Sequence, residues 1–272
     1  MSEWFLRGRE HHGLAEIALQ TQDDAAIALS IGGAPKRYAH TDPNEDAALL
    51  VARDATLLLA VADGHGGYEA AEVALETVRD WAARLPASTG ETWHERVIEA
   101  LVEANSRIRA GATRGGRRHS RTTLALARIE PAQGALRWAS IGDSHVFHLA
   151  NGVLDLAHAH HDSNDGPTHF LGHTEETEQS LANKCRMGDE RLAGTQALVL
   201  ATDGLSERGV GVDEPEDTVA AALIAAAEQA AAERAGALAR GVIEAALDAH
   251  RRRRSGDNVA TAVAWLEGVR AR

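Results

Sequence analysis

Two aspartates, Asp63 and Asp203, each end an apolar stretch and are each followed by glycine. The stretches before them, residues 57–62 and 197–202, have the composition of strands buried on both faces. A carboxylate at the end of such a strand lies at the rim of the core, where an unpaired charge is costly. The glycine lets the backbone turn and lets other groups approach closely. The alternative at each position is ordinary Asp-Gly turn chemistry, which needs no ligand.

Two further acidic sites lie beside apolar runs. Glu45 and Asp46 precede residues 47–51, and Asp257 opens the run over residues 259–266. Carboxylates brought together at one sheet edge repel each other strongly unless a cation lies between them. An all-oxygen ligand set suits Mg²⁺ or Mn²⁺. The four sites therefore favour a divalent-metal centre, although their spacing alone does not establish that they converge.

Six short motifs follow one another along residues 38–266. They read Asn44-Glu-Asp-Ala47, Val61-Ala-Asp-Gly-His-Gly-Gly67, Ser120-Arg-Thr-Thr123, Ala139-Ser-Ile-Gly-Asp-Ser144, Ala201-Thr-Asp-Gly-Leu205 and Gly256-Asp-Asn258. In these motifs the chain resembles the metal-dependent protein phosphatases of the protein phosphatase 2C (PPM) class. The resemblance implies an α+β fold, with a central antiparallel β-sandwich flanked by helices in four layers ordered α-β-β-α.

The resemblance also implies a site for two Mn²⁺ or Mg²⁺ ions and a weaker third ion. Asp63 matches the residue that bridges the two ions. Glu45 and the carbonyl of Gly64 would help to hold one of them, and Asp203 and Asp257 would hold the other. These roles are carried over from the family, position by position.

The implied reaction is hydrolysis of phosphoserine or phosphothreonine in a protein, by attack of a water that bridges the two ions. Asp46 would steady that water, and His65 would protonate the leaving alkoxide. Asp143 matches the carboxylate that family members use for the third ion. Without the resemblance, His65 would be taken as a turn residue between glycines. The single cysteine, Cys185, lies in none of the motifs and is interpreted as a small apolar residue.

The chain departs from the family pattern where an arginine usually binds the substrate phosphate. That position is Thr41, so we assign substrate binding to Thr41 and the nearby Arg37. Lys36 and the basic loop over residues 114–121 are other sources of a cation, although both could equally be solvated surface charge. The missing arginine leaves two alternatives open: a pseudophosphatase that acts as an interaction module, and a phosphatase for a small molecule.

Two other positions weaken the match, and one histidine group offers a different chemistry. Arg121 replaces the usual glycine of the Ser-Gly-Thr-Thr signature, and His145 replaces the usual arginine after Gly-Asp-Ser. His158, His160 and His161 could hold zinc or nickel. No cysteine or spaced His-Glu motif completes such a site, which favours polar loop residues.

The composition excludes several classes of protein. The formal net charge of −12 argues against a general nucleic-acid binder, which needs a basic surface. Hydrophobic residues at 44% and charged residues at 25% are typical of a globular chain. The charged N-terminus argues against a signal peptide, and no run is long enough to span a bilayer. We expect a cytoplasmic monomer without membrane or nucleic-acid partners, acting on a phosphoprotein of a Ser/Thr kinase pathway.

Apolar periodicity predicts the elements that would position these residues. We predict strands at residues 25–31, 47–52, 56–62, 122–129, 135–141, 146–149, 153–156, 197–201 and 259–266. We predict helices at residues 66–85, 91–112 and 216–254, the last one broken near Gly236 or Gly241. We expect residues 1–24 to be an N-terminal arm or a first element, and residues 157–194 to be a variable flap. Because regular βαβ alternation and linkers are missing, we expect one α+β domain over residues 1–272.

Overall fold

A computed structural model describes residues 2–37, 40–86, 92–113, 119–158 and 168–266. Its strands are β1 Ser2–Arg7, β2 Ala18–Gln22, β3 Ala25–Ser30, β4 Ala47–Arg53, β5 Thr56–Ala62, β6 Gly64–His65, β7 Arg121–Thr122, β8 Leu124–Glu130, β9 Ala135–Ile141, β10 His145–Leu149, β11 Val153–Asp155, β12 Arg186–Arg191, β13 Ala197–Ala201 and β14 Val259–Trp265. Its helices are α1 Glu69–Arg84, α2 Trp93–Thr113, α3 Glu178–Lys184, α4 Pro215–Ala227 and α5 Arg234–Arg253. Within these described ranges, none of the helices is long and apolar enough to cross a membrane.

The strands form two six-stranded antiparallel sheets and one small ribbon. The first sheet has the order β1-β4-β5-β8-β9-β12, the second has the order β11-β10-β13-β14-β3-β2, and β6 pairs with β7. The inner faces of the two sheets pack on each other, with Leu50 and Leu59 of the first in the same apolar cluster as Leu198, Leu200 and Ala262 of the second. This arrangement is the sandwich expected from the sequence.

Helices cover both outer faces of the sandwich. Helices α1 and α2 share an apolar cluster with the first sheet, whereas α4 and α5 share one with the second. Strand β5 shows why the apolar residues of an inner strand form a continuous run rather than alternating with polar residues. Leu58 and Ala60 pack toward the helices, while Leu59 and Val61 pack toward the other sheet. The fold is therefore α+β in four α-β-β-α layers, as predicted.

Of the two alternatives left for residues 1–24, the structure has the first elements of the fold rather than an arm. Strand β1 pairs with β4 at the edge of the first sheet, and β2 pairs with β3 at the edge of the second. Leu6 packs between the sheets, and Phe5 packs against the helical layer of the first sheet. The segment has polar residues between short apolar stretches, because an edge strand is only partly covered.

Two other expectations need correction in detail. The flap predicted for residues 157–194 contains α3 and β12, whose sequence is too polar to resemble a buried strand. The last helical region breaks between α4 and α5, at residues 228–233, which is just before Gly236 and not at either glycine. Gly236 and Gly241 lie inside α5, where an added Cβ would lie 2.9 Å from Thr21 Cγ2 and 3.3 Å from Ala222 Cβ, respectively. These glycines permit close packing of α5 rather than ending it.

Candidate metal centre and active site

Three aspartates converge at one end of the sandwich. Asp63 follows β5, Asp143 lies in the turn between β9 and β10, and Asp203 follows β13. One carboxylate oxygen of each lies within 4.8 Å of the other two. The first sheet contributes Asp63 and the second contributes Asp203, so the cluster forms only when the two sheets pack face to face.

The electrostatics of this cluster disfavour negative charge. Burial raises the pKa of Asp63 well above its usual value, and the negative charge of Asp203 raises it further. Burial also raises the pKa of Asp203, with Asp143 adding to the effect. For Asp46, burial raises the pKa to about 7, although a hydrogen bond from Thr202 opposes the change. A cation bound among these carboxylates would therefore stabilise their charged forms.

Several carboxylate oxygens in and beside the cluster accept no hydrogen bond from the described residues. Asp46 Oδ1, Asp63 Oδ2 and Asp143 Oδ1 are buried and accept no hydrogen bond from any residue that the structure describes. Buried acceptors are normally satisfied, so three orphaned oxygens in one region point to a ligand that supplies charge. Oxygen-only donors with several negative charges fit Mg²⁺ or Mn²⁺. The residues present therefore fit the ions implied by the sequence.

One protein cation lies at the border of this cluster. The Lys36 side chain is 6% exposed, and its Nζ lies 3.1 Å from Asp257 Oδ1. It also donates a hydrogen bond of 2.8 Å to Asn258 Oδ1. Burial lowers the pKa of Lys36, but attraction to Asp257 and Asp46 outweighs burial and raises it overall. Of the two basic candidates upstream of Thr41, Lys36 is therefore the one that the fold brings to a candidate ligand.

Glu45 and Gly64 lie against each other beside the aspartates. Glu45 Oε1 accepts hydrogen bonds from the backbone nitrogens of Thr41 at 3.2 Å and Asp42 at 3.0 Å. A Cβ at position 64 would lie 2.3 Å from the Glu45 carbonyl oxygen, so only glycine fits there. At Gly204 the corresponding distance, to the Asn258 carbonyl oxygen, is 1.7 Å. Both Asp-Gly pairs thus need glycine because another backbone segment passes close by.

His65 lies at the mouth of the cluster. Its side chain is 37% exposed, and its Nδ1 lies 3.4 Å from Asp63 Oδ2. Its ring centroid lies 4.8 Å from that of Phe170. Burial lowers the pKa of His65, Asp143 opposes the change, and the positive charge of Arg121 lowers the pKa further. An accessible imidazole beside the carboxylates is in a position to exchange a proton with a bound molecule.

The Ser120–Thr123 motif fixes the loop that carries Asp63. Thr122 Oγ1 and the backbone nitrogen of Thr123 both donate to the Asp63 carbonyl oxygen, at 2.8 and 3.0 Å. Ser120 Oγ donates to the Gly67 carbonyl oxygen at 3.0 Å. Ser120, Thr122 and Thr123 therefore hold the backbone of the site in place.

Three residues that the sequence analysis did not single out make contacts in the site. Thr202 Oγ1 donates to Asp46 Oδ2 at 2.8 Å, and Thr168 Oγ1 donates to Asp143 Oδ2 at 2.8 Å. Phe170 packs on His65. Thr202 lies within a recognised motif, but Thr168 and Phe170 follow a polar segment without any motif, so no local signal marks them.

The proposed substrate residues have different surroundings. Arg37 donates from Nε to the Arg254 carbonyl oxygen at 2.7 Å and from Nη2 to that of Arg253 at 3.2 Å. These bonds hold its guanidinium at the C-terminal end of α5, rather than with the clustered aspartates. Thr41 is exposed and contacts Glu45 through its backbone nitrogen. Most of the basic loop, residues 114–118, lies outside the described residues.

A histidine cluster lies on β10, where the sequence departs from the family pattern. His145 Nδ1 and His158 Nδ1 lie 2.6 and 2.8 Å from Asp155 Oδ2. His145 Nε2 lies 2.5 Å from Ser206 Oγ, in the turn that follows Asp203. His145, Asp155 and His158 each offer a ligand atom within 4.8 Å of the other two, so the fold places His158 in a group that could hold a metal ion. His160 and His161 lie outside the described residues.

Comparison with known proteins identifies relatives of this fold. A sequence profile described as "Protein phosphatase 2C" matches residues 35–249. The serine/threonine phosphatase Stp1 from Staphylococcus aureus superposes with a TM-score of 0.66 at 18% identity, over 91% of this chain and 96% of that one. The PPM Ser-Thr phosphatase MsPP from Mycobacterium smegmatis, in complex with cacodylate, gives a TM-score of 0.58 at 23% identity, over 93% and 99%. Serine-threonine phosphatase 2C from Toxoplasma gondii gives 0.59 at 17%, over 92% and 99%. No curated protein sequence matches the chain significantly.

Proposed function

Because the chain belongs to the protein phosphatase 2C family of serine/threonine phosphatases, we propose that it hydrolyses phosphoserine and phosphothreonine in proteins, with two Mn²⁺ or Mg²⁺ ions. The observation that supports this activity is the convergence of Asp63, Asp143 and Asp203 within 4.8 Å of one another. A buried cluster of this charge is unfavourable without cations, so the fold maintains it at a cost in stability.

The ion-holding residues divide between the two sheets. We assign Asp63 as the ligand shared by both ions, Glu45 and the Gly64 carbonyl to one ion, and Asp203 and Asp257 to the other. When bound, the ions supply the positive charge that activates a water and offsets charge on the phosphoryl oxygens. A weaker third ion is assigned to Asp143, which keeps one buried oxygen without a hydrogen bond among the described residues.

The remaining chemistry belongs to side chains. His65 is exposed enough to reach the leaving oxygen of the substrate and to give it a proton. Asp46, held by Thr202, orients the attacking water. Cys185 takes no part, because burial raises the pKa of its thiol to about 12 and leaves it protonated at neutral pH. We further propose a cytoplasmic monomer that acts on a phosphoprotein of a Ser/Thr kinase pathway.

A pseudophosphatase of the same fold is the second candidate. The observation that favours it is Thr41, which stands where the family usually has a phosphate-binding arginine and uses only its backbone to contact Glu45. In that case the protein would bind ions and a phosphorylated partner without turnover.

The decisive experiment measures hydrolysis of p-nitrophenyl phosphate and of a phosphothreonine peptide with Mn²⁺, with Mg²⁺ and with EDTA. Calorimetry on the same protein measures Mn²⁺ binding. We expect metal-dependent turnover in the wild type, and loss of both turnover and Mn²⁺ binding in Asp63→Asn. Asp248→Asn, an exposed change on α5 beside Arg251, is the matched control and should behave as the wild type. Mn²⁺ binding without turnover would support the pseudophosphatase, and turnover that persists in EDTA would refute the proposed mechanism.

A further inference from the structure

We propose that Arg121 binds the phosphoryl group of the substrate, in the role that the family usually gives to an arginine at the position of Thr41. This inference rests on the proposed function and specifies how the site recognises a phosphate dianion. It concerns a residue that departs from the family pattern, since the signature usually has glycine there.

The β6–β7 ribbon places Arg121 beside His65. The two strands are antiparallel, and His65 is directly opposite Arg121 in the register. Directly opposed residues of an antiparallel pair project their side chains to the same face, with Cβ atoms about 4.5–5.5 Å apart. The guanidinium and the proposed proton donor are therefore on one side of the ribbon, and His65 Nδ1 lies 3.4 Å from Asp63 Oδ2.

Phe170 supports both side chains from one position. The Arg121 guanidinium carbon lies 4.7 Å from the centroid of the Phe170 ring, and the His65 ring centroid lies 4.8 Å from it. The hydrogen bonds between Thr122 and Leu171, at 2.8 and 3.0 Å, hold the segment that carries Phe170 against β7. A guanidinium that packs on an aromatic face keeps N–H donors at its edge, where they can bind two phosphoryl oxygens at once.

Three other cations near the site are already engaged. Lys36 pairs with Asp257, and Arg37 donates to carbonyl oxygens at the end of α5. Arg186 Nη1 donates to the Ala157 carbonyl oxygen at 2.8 Å. Arg121, in contrast, forms no ion pair with any carboxylate in the described part of the chain. Among these four cations, all from the described part of the chain, Arg121 is the one best placed to meet a phosphate beside His65.

The test compares Arg121→Gln, Arg121→Lys and Arg96→Gln with the wild type, each saturated with Mn²⁺. Arg96 is an exposed residue of α2 paired with Glu99, so its variant makes the same chemical change away from the ribbon. We expect Arg121→Gln to raise KM for a phosphothreonine peptide and the inhibition constant of inorganic phosphate by at least tenfold, and kcat and Mn²⁺ affinity to stay within threefold. Arg121→Lys should give a KM and an inhibition constant between those of the wild type and Arg121→Gln, because an ammonium group cannot bind two oxygens in the forked geometry of a guanidinium.

The outcomes separate this inference from the proposed function. If Arg121→Gln leaves both KM and phosphate inhibition unchanged, the inference is wrong although the phosphatase stands. If that variant loses Mn²⁺ binding as strongly as phosphate binding, its effect is structural and the inference is again wrong. If the wild type shows no turnover, calorimetric binding of inorganic phosphate to the Mn²⁺-loaded protein decides instead. Phosphate binding that is weakened in Arg121→Gln but not in Arg96→Gln supports the inference. Phosphate binding that is equal in the wild type and Arg121→Gln, or undetectable in the wild type, contradicts it.

Discussion

Asp46→Asn should stabilise the metal-free protein while impairing the enzyme. In the folded chain burial raises the pKa of Asp46 from 3.8 to about 7. Between these two values the unfolded chain has lost its proton and the folded chain has kept it, so stability falls as pH rises through this window. The difference of about three pH units corresponds to about 4 kcal/mol lost by the wild type at pH 7.5.

Asparagine removes this penalty with little change of shape. Its carbonyl oxygen can still accept the hydrogen bond from Thr202 Oγ1 that Asp46 Oδ2 accepts at 2.8 Å. Its amide group replaces the oxygen that accepts no hydrogen bond from the described residues, and can donate to the neighbouring Asp63 carboxylate. We therefore expect Asp46→Asn to raise the free energy of unfolding in EDTA at pH 7.5 by about 2–4 kcal/mol. For a chain of this size that is an increase of about 5–10 °C in Tm.

The assay is urea unfolding of both proteins in EDTA from pH 4 to pH 8. The stability difference should be near zero at pH 4 and reach its full value by about pH 7. Saturating Mn²⁺ should shrink it, because bound cations offset the repulsion that asparagine removes. Asp248→Asn is the control, with no pH-dependent difference expected. A difference that stays constant with pH, or an Asp46→Asn protein less stable than the wild type at pH 7.5, would refute the reasoning.

Two further predictions concern neighbours of the cluster. Lys36→Met should tighten Mn²⁺ binding measured by calorimetry, because it removes a positive charge 3.1 Å from a proposed ligand, and it should destabilise the metal-free protein by about 3–5 kcal/mol in urea unfolding. Weaker Mn²⁺ binding would instead make Lys36 a support for the ions. Gly204→Ala should disrupt Mn²⁺ binding and lower Tm, since its Cβ would lie 1.7 Å from the Asn258 carbonyl oxygen. Gly111→Ala, in α2, would place a Cβ with no described atom within 4 Å beyond its own helix backbone, and should raise stability by about 0.5–1 kcal/mol. Equal Tm values for these two glycine variants would contradict the packing argument.

The buried parts of the fold could be predicted because burial on both faces leaves an uninterrupted apolar run. Strands β5 and β13 are of this kind, and their ends also mark Asp63 and Asp203. Edge strands carry no such signal. Strand β12, Arg186–Arg191, is polar along most of its length and has only one neighbouring strand, so its sequence is indistinguishable from a loop.

The residues of the site also fall into those that could be predicted from sequence and those that could not. Asp63 and Asp203 could be proposed from sequence because each ends an apolar run, and Asp143 could be proposed from its match to a family motif. The structure places these three together. The positions of Lys36 and Phe170 depend instead on how loops lie over the sheet edges. Lys36 is 221 residues from Asp257 in sequence, as 257 − 36 = 221. No local pattern encodes a contact over that separation, so only the folded chain reveals it.

The carboxylate of Asp143 accepts a hydrogen bond from Thr168 and is also the proposed ligand of the third ion. Thr168 Oγ1 occupies Asp143 Oδ2, whereas Asp143 Oδ1 has no hydrogen-bond partner among the described residues. An ion that engaged both oxygens would have to displace Thr168 and loosen the segment that also carries Phe170. Because linkage is reciprocal, any interaction that holds this segment in place must weaken the binding of that ion by the same free energy. For an ion bound through both oxygens, occupancy of the third-ion position and the Thr168 hydrogen bond are thus antagonists, linked through a single side chain.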